Sequence, residues 1–445
     1  MNKWDFVKKI IRELEYYNIP NCIIHSYIHF GDEKYLHKHD VDIALQFIPL
    51  EKLEQLLLII SKPTNWFLFL KIYHNVPLNA SYIFVNKNNY DEFVTLDFLN
   101  DKWGINPLGI SANELLKDRI IIKKSIFKPH PGNEVVWRIM KRLMRKFWRK
   151  QDIAVLQRLL SKSDGREKSI LKNLIGYKET NFILTSIKNE DIKILNERAG
   201  KIFHKKDFFI YGKRPQKFSI YLYFKFKLFV YRYLKPTGMF LVFVGPDGSG
   251  KSTIVSELKK KIKLIGHDTI HFHWRPRLLP NIRELFKGER DDGSIKIPHH
   301  YQPKGYISSF LFFLYYYTDF ILGYLLKMKM QLYKKKIVII ERYYYDFFVD
   351  TLRYRLKVPC FLIKLGQLFI PKPDIIFYLN ASVETIYKRK QELSIEEISR
   401  QKKALEKLNQ YHIRLKTINT EKNIECVVKD LMKSVVQTFH KRFFQ

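Results

Sequence analysis

The chain reads as α/β throughout, with an α/β domain at each end and a basic helical connector between them. Three observations point there. A glycine-rich loop, Gly245-Pro246-Asp247-Gly248-Ser249-Gly250-Lys251-Ser252-Thr253, follows an apolar strand pattern and opens a helical one. Beyond residue 237, short apolar runs alternate with helical periods, as in a parallel sheet with helices on both faces. The charge also steps along the chain. Residues 1–130 carry 16 Lys+Arg against 15 Asp+Glu, residues 131–240 carry 26 against 9, and residues 241–445 carry 37 against 20. The expected domains are 1–130, 131–236 and 237–445.

In the first domain, residues 4–18 have Phe6, Ile10, Ile11 and Leu14 at helical spacing. Asn21–Ile28, Val41–Phe47 and Val94–Phe98 read as strands, and Leu50–Ser61 as an amphipathic helix. Pro129 and Pro131-Gly132 close the unit. The connector opens on a long expected helix, Asn133–Leu160, with Val136, Met140, Leu143 and Phe147 in one stripe, crowded by Arg138, Lys141, Arg142, Arg145, Lys146, Arg149 and Lys150. Shorter helices fill 161–215. Lys217–Lys235 interleaves Tyr, Phe and Leu with Lys and Arg and reads as a helix packing two domains together, with an interfacial amphipathic helix as the alternative.

The last domain places strands at Phe240–Val244, Thr269–Trp274, Ile337–Ile340, Ile375–Leu379 and Leu415–Ile418, with helices starting at Lys251, Ser382 and Asn423. Tyr306–Leu326 is about long enough to cross a bilayer and holds one charge, Asp319. It lies between two strands of one expected sheet, so it reads as a buried crossover helix.

The 445 residues are 46% hydrophobic and 15% aromatic, which excludes a wholly disordered chain. Cys22, Cys360 and Cys426 lie far apart and odd in number, which excludes a disulfide framework. The first residues lack an apolar run with a cleavage site, so a cytoplasmic protein is the expectation. The net charge of +35 favours anionic partners: nucleotides, nucleic acid or an acidic lipid surface.

The loop 245–253 fits G-x-x-x-x-G-K-[ST] in full, and each part has a physical task. Gly245, Gly248, Ser249 and Gly250 let backbone N–H groups turn inward around phosphate, aided by the helix N-terminus. Asp247 and Thr253 complete the loop. Lys251 reaches β- and γ-phosphates, and the Ser252 hydroxyl can complete a Mg²⁺ shell. A carboxylate at the end of another strand should serve the metal side, and Glu341 ends Ile337–Ile340. Arg342 beside it can meet phosphoryl oxygens.

Together, Gly245–Thr253, Ile339-Ile340-Glu341-Arg342-Tyr343 and Lys372-Pro373-Asp374-Ile375-Ile376-Phe377-Tyr378-Leu379 resemble thymidylate kinase and its relatives over residues 238–440. The resemblance implies a P-loop kinase using ATP and Mg²⁺. It implies substrate contacts at Arg275 of Trp274-Arg275-Pro276, at Arg342 and at Asp319, and a lid between Lys388 and Arg400 whose catalytic arginine is Arg389 or Arg400. Ile418-Asn419-Thr420 resembles the segment beside the adenine. Phe320 stands where thymidylate kinases carry an arginine, and Tyr345–Asp350 replaces the continuation after the Asp-Arg-Tyr motif; Arg353 and Arg355 follow as alternative acceptor contacts.

A second constellation lies in the first domain. Asp40 and Asp42 share one face of a strand, and Asp97 lies on a later strand. Three such carboxylates suit a two-metal nucleotidyl-transfer site. The pattern resembles nucleotidyltransferases of the DNA polymerase beta type, with His25-Ser26 aligning with their Gly-Ser and His25 replacing the glycine. The histidines His25, His29, His37 and His39 lack the spacing of a metal site. The order of the three parts resembles bacterial bifunctional proteins of cell-surface polysaccharide biosynthesis. The expected partners are a small-molecule phosphoryl acceptor and, peripherally, the anionic inner face of a membrane. Nucleic acid, through the basic span 136–235, is a weaker candidate. The oligomeric state is not legible.

Overall fold

A computed structural model describes residues 1–74, 79–207, 212, 215–265, 267–280, 305–411, 413 and 415–444. They fall into two units, Met1–Tyr231 and Arg232–Gln445.

The first unit starts with α1 (Lys3–Tyr16), capped by Asn2, whose side chain accepts the Asp5 N–H. Its stripe of Phe6, Val7, Ile10, Ile11 and Leu14 is fully buried. Then come β1 (Asn21–Ile24), α2 (Glu33–Lys38), β2 (Val41–Leu45), α3 (Leu50–Ser61), β3 (Trp66–Tyr73), β4 (Ala80–Asn86) and β5 (Phe93–Leu99). The sheet order is β1-β2-β5-β4-β3. Strands β2 and β5 are parallel, with Asp42 opposite Asp97 in register. The β3–β4 hairpin was outside the sequence expectation, because Trp-Phe-Leu-Phe-Leu-Lys-Ile-Tyr carries no polar alternation to mark a strand.

After α4 (Ala112–Leu116), β6 (Ile120–Lys123) and β7 (Ile126–Lys128), helices follow in series: α5 (Pro131–Arg145), α6 (Lys150–Leu160), α7 (Arg166–Ile175), α8 (Tyr177–Lys188), α9 (Ile192–Asp207) and α10 (Pro215–Leu234). The single helix expected over 133–160 is two helices. Lys146 takes a left-handed conformation, φ 54°, and ends α5. The segment 131–207 does not stand apart as a connector. Val135, Val136, Ile139, Met140 and Leu143 of α5 share one buried core with Cys22, Ile24 and Ala44 of the sheet, and Leu195, Ala199 and Ile202 of α9 join it. Within the same unit, Ile220 and Phe224 of α10 pack against Ile105 and Trp103.

The second unit is built on a five-stranded, wholly parallel sheet, ordered β12-β11-β8-β10-β9. Its elements are β8 (Phe240–Val244), α11 (Lys251–Leu264), β9 (Thr269–Phe272), α12 (Tyr306–Gly323), α13 (Lys329–Tyr333), β10 (Ile337–Glu341), α14 (Cys360–Gln367), β11 (Ile375–Asn380), α15 (Val383–Arg389), α16 (Ile395–Lys407), β12 (Leu415–Asn419) and α17 (Ile424–Phe444). A π-helical turn at Tyr324–Met328 joins α12 to α13. All five residues of β8 and of β10 are buried, as expected for central strands covered on both faces.

The crossover position expected for 306–326 is correct, but burial is not. Phe313, Asp319, Phe320 and Gly323 face inward, whereas only 28% of the most apolar 18-residue window is buried. Apolar content gives a helix's hydrophobicity without saying how many sides are covered.

Candidate active site

The phosphate loop links β8 to α11. Gly250 caps α11 at φ 90°, and Gly248 has φ 89°. A Cβ on Gly248 would meet the Ile386 carbonyl oxygen at 2.7 Å, so both conformation and space demand glycine there. Lys251 is buried, and its Nζ donates to the carbonyl oxygens of Gly245 at 2.7 Å and Pro246 at 2.8 Å. Burial, together with the Arg342 charge, lowers its pKa to about 8. Ser252 and Thr253 face solvent at the first turn of α11.

Glu341 ends β10 and is 1% exposed. His271 Nε2 stands 2.9 Å from Glu341 Oε1, and His273 Nδ1 stands 3.9 Å from Oε2. The His271 approach is off the hydrogen-bonding line, so Glu341 Oε1 is buried without a hydrogen bond. Burial pushes the Glu341 carboxyl up, but His271, Lys251 and His273 outweigh it and hold it below the usual range. The backbone beyond it is tight. Arg342 has φ 69° and Tyr343 φ 27°, two consecutive side-chain-bearing residues in a region that favours glycine.

That turn aims Arg342 at the loop. Its guanidinium bonds the Asp247 carboxylate, and the guanidinium of Arg353 bonds the other oxygen of the same carboxylate. Burial opposes the ionised form of Asp247, but Arg342, Lys251 and Arg353 overcome it and hold the carboxyl far below its ordinary range. Asp350 pairs with Arg353 at 3.4 Å, and Asp346 lies 4.0 Å from Arg342. Trp274 stacks on Tyr354 with ring centroids 4.2 Å apart, and the Tyr354 hydroxyl donates to Asp346 at 2.5 Å.

Of the two arginines expected in a lid, Arg389 lies beside the loop: its Nη1 is 4.0 Å from the place a Cβ on Gly250 would take. It donates to the Thr420 carbonyl at 3.0 Å, within the segment expected beside the adenine. Arg400 forms a bidentate pair with Glu397, both contacts 2.7 Å. Arg275 and Asp319 come together, but with each other. Arg275 is 1% and Asp319 0% exposed, their contact is 2.7 Å, and Arg275 also bonds the Leu279 and Pro280 carbonyls. Neither presents its charge to solvent. The residues that sequence reasoning missed are His271, His273, Asp346 and Asp350; the His-x-His pair next to Trp274 was the available signal for the first two.

Residues 243–431 match the thymidylate kinase family. The second unit is therefore a P-loop phosphotransferase of the nucleotide kinase type, an ATP-binding transferase. No curated protein matches the chain. The matched span runs from the end of β8 into α17 and takes in the phosphate loop, Glu341, Arg342, Arg389 and Arg400.

In the first unit, Asp42 and Asp97 face each other across β2 and β5. Lys141, from α5, donates to Asp42 Oδ2 at 2.8 Å, with its ammonium 4.1 Å from the Trp137 ring. His25 Nδ1 lies 3.5 Å from the same oxygen, and His74 Nε2 lies 3.7 Å from Asp97 Oδ1. Asp40 is exposed at its surface, but desolvation by the surrounding protein, then the charges of Asp97 and Asp42, push it up to about 6. Burial also raises Asp42 despite Lys141. Burial would raise Asp97 too, but His74 and Ser81 outweigh it and lower it. Among the described residues, no three His, Cys, Asp or Glu side chains converge as a ready metal site. His25, where nucleotidyltransferases of this type carry glycine, has φ 48°, a conformation glycine would adopt without strain. The His37 side chain lies outside the described residues.

Proposed function

We propose that the chain is an ATP-dependent kinase whose acceptor is a nucleoside monophosphate of the thymidylate kind, or a related phosphorylated metabolite of surface polysaccharide biosynthesis. The observation that carries this reading is the convergence of Lys251, Arg342, Arg353 and Glu341 around one phosphate loop. An acceptor oxygen attacks the γ-phosphorus in line as the bridging bond to the β-phosphate breaks, and ADP leaves. Lys251 and Arg342 neutralise the equatorial oxygens, and of the two lid candidates Arg389, beside the loop, serves rather than Arg400, which is paired with Glu397. The loop amides of Gly245, Asp247, Gly248, Ser249 and Gly250 orient the triphosphate, with Thr253 behind them.

Ser252 and Glu341 would hold Mg²⁺, and the buried Glu341 oxygen without a hydrogen bond fits a cation or its water. Mg²⁺ would supply charge neutralisation on the β- and γ-oxygens. Arg275 and Asp319 support the acceptor wall from behind, as a buried pair. The protein would act in the cytoplasm, peripheral to the inner face of the membrane. Nucleic acid is the weaker partner: α5 and α9 bury only their apolar faces in the core of their own unit, and the exposed cations Arg145, Lys146, Arg149, Lys193 and Lys201 are not joined by any base-reading motif.

The test is transfer of labelled γ-phosphate from ATP to a panel of thymidylate, other nucleoside monophosphates, nucleosides, sugar phosphates and glycan fragments, with Lys251→Ala as blank. Transfer to thymidylate is the expected result, and transfer to none of the panel refutes the reading. A second reading, nucleotidyl transfer by the first unit, is favoured by the register that sets Asp42 opposite Asp97 beside Asp40. It predicts release of pyrophosphate from a nucleoside triphosphate with Mg²⁺, abolished in Asp40→Asn with Asp42→Asn while kinase turnover persists.

A further inference from the structure

Among the described residues, the outer face of α12 is apolar and uncovered. Ile307 is 80% exposed, and Leu311 and Leu314 continue the same side at helical spacing. Alongside runs α14. The Tyr317 hydroxyl donates to the Gly366 carbonyl at 3.1 Å, and the Lys357 N–H, just before α14, donates to Ser309 Oγ at 3.0 Å. Phe361 and Leu365 of α14 and Phe369 just beyond it are exposed too, at 65%, 55% and 70%. Two neighbouring helices thus present aliphatic and aromatic side chains outward, a patch of the kind that monomeric soluble proteins cover.

Charge identifies the occupant. Between 305 and 371 the acidic residues are Asp319, Glu341, Asp346 and Asp350, and all four are buried. Lys357 and Lys364 are exposed, their ammonium groups lying 5.7 Å from the Tyr306 ring and 4.5 Å from the Tyr411 ring. The outward charge of this region is accordingly positive and set at the margin of an apolar face. Apolar side chains beside snorkelling lysines are the chemistry of the boundary between acyl chains and anionic headgroups. Spanning is excluded by topology, because α12 lies between β9 and β10, adjacent strands of one sheet.

We infer that the joint outer face of α12 and α14 is the surface by which this protein docks on an anionic lipid bilayer, lying in its interface. The inference rests on the peripheral-membrane reading above and adds the surface that makes the contact.

The experiment is flotation of the full chain with vesicles of phosphatidylcholine and phosphatidylglycerol in equal parts, and with phosphatidylcholine alone. The protein should float with the mixed vesicles and much less with the neutral ones. Leu311→Glu with Leu365→Glu should reduce the bound fraction by about tenfold or more, since it puts two carboxylates against the headgroups. ATP turnover should be retained. If that variant loses turnover, Ile307→Gln with Phe361→Gln decides instead. A wild-type chain that never floats overturns both the inference and the peripheral reading. Wild type and variants floating equally overturn only this surface. A dimer in sedimentation that Leu311→Glu breaks, with no flotation, assigns the face to a second copy and overturns the proposal.

Discussion

Arg353 bonds the carboxylate of Asp247 across 106 positions of sequence, and so ties the loop after β10 to the phosphate loop. Asp247 then serves two guanidiniums, because Arg342 holds its other oxygen. One loop carboxylate thus fixes the position of both guanidiniums beside the phosphate loop. We expect Arg353→Ala to lower kcat/KM for phosphoryl transfer by about 10- to 100-fold, with Arg353→Lys recovering only part, because a point charge does not replace a planar fork. Steady-state kinetics of the three proteins checks this.

Lys251→Ala should lower ATP turnover by about 10³-fold or more while secondary structure persists. Unchanged turnover would remove the phosphate-loop assignment. Lys251 also carries a pH signature. Its folded pKa is about 8 against an ordinary 10.5, so the unfolded chain binds the extra proton between those values. The nucleotide-free wild type should therefore gain stability relative to Lys251→Met as pH rises from about 8 to 10.5, and show no relative change below. Urea melts of both proteins across that range measure it.

Arg275 and Asp319 act as a structural pair. Asp319→Ala strands a buried guanidinium and should cost about 3–5 kcal/mol, whereas Arg275→Met with Asp319→Leu should recover most of it. Thermal denaturation separates the two outcomes. A selective loss of acceptor affinity with stability unchanged would instead make them substrate contacts.

Asp40 faces the opposite linkage. Its folded pKa of about 6 lies above the ordinary 3.8, so ionising it costs stability at neutral pH, and the cost is relieved as pH falls from 6 towards 3.8. Discounted for its exposure, Asp40→Asn should stabilise the first unit by about 1 kcal/mol at pH 7, the gain vanishing near pH 4. Chemical denaturation at the two pH values tests it.

The phosphate loop was legible because its parts are local: strand, glycines, lysine and helix lie within fourteen residues, Phe240–Thr253. Glu341 and Arg342 were legible for the same reason, as the end of an apolar strand. His271 was not, because its approach to Glu341 depends on β9 pairing with β10, with Ile340 opposite Phe272. Register between strands 68 residues apart leaves no mark in either one. Likewise, nothing in Asn133–Leu160 announces that Lys146 turns left-handed, since lysine is an ordinary helix former. For α12, composition correctly suggested an apolar crossover, but how much of it the rest of the unit covers is decided by packing alone.

The core shared by α5, α9 and the strands β1 and β2 governs how the molecule can be divided. A cut near Gly132, where composition changes, would strip the lid from Cys22, Ile24 and Ala44 and remove Lys141 from Asp42. The fragment 1–131 would then carry an uncovered apolar sheet face and an unneutralised acidic cluster, and it should aggregate. A cut between Tyr231 and Arg232, within α10, instead follows the boundary between the two compact units. Insertions, fusions and independent evolutionary exchange of the two halves should therefore be tolerated at that helix, and not at the conspicuous change in charge that precedes it by a hundred residues.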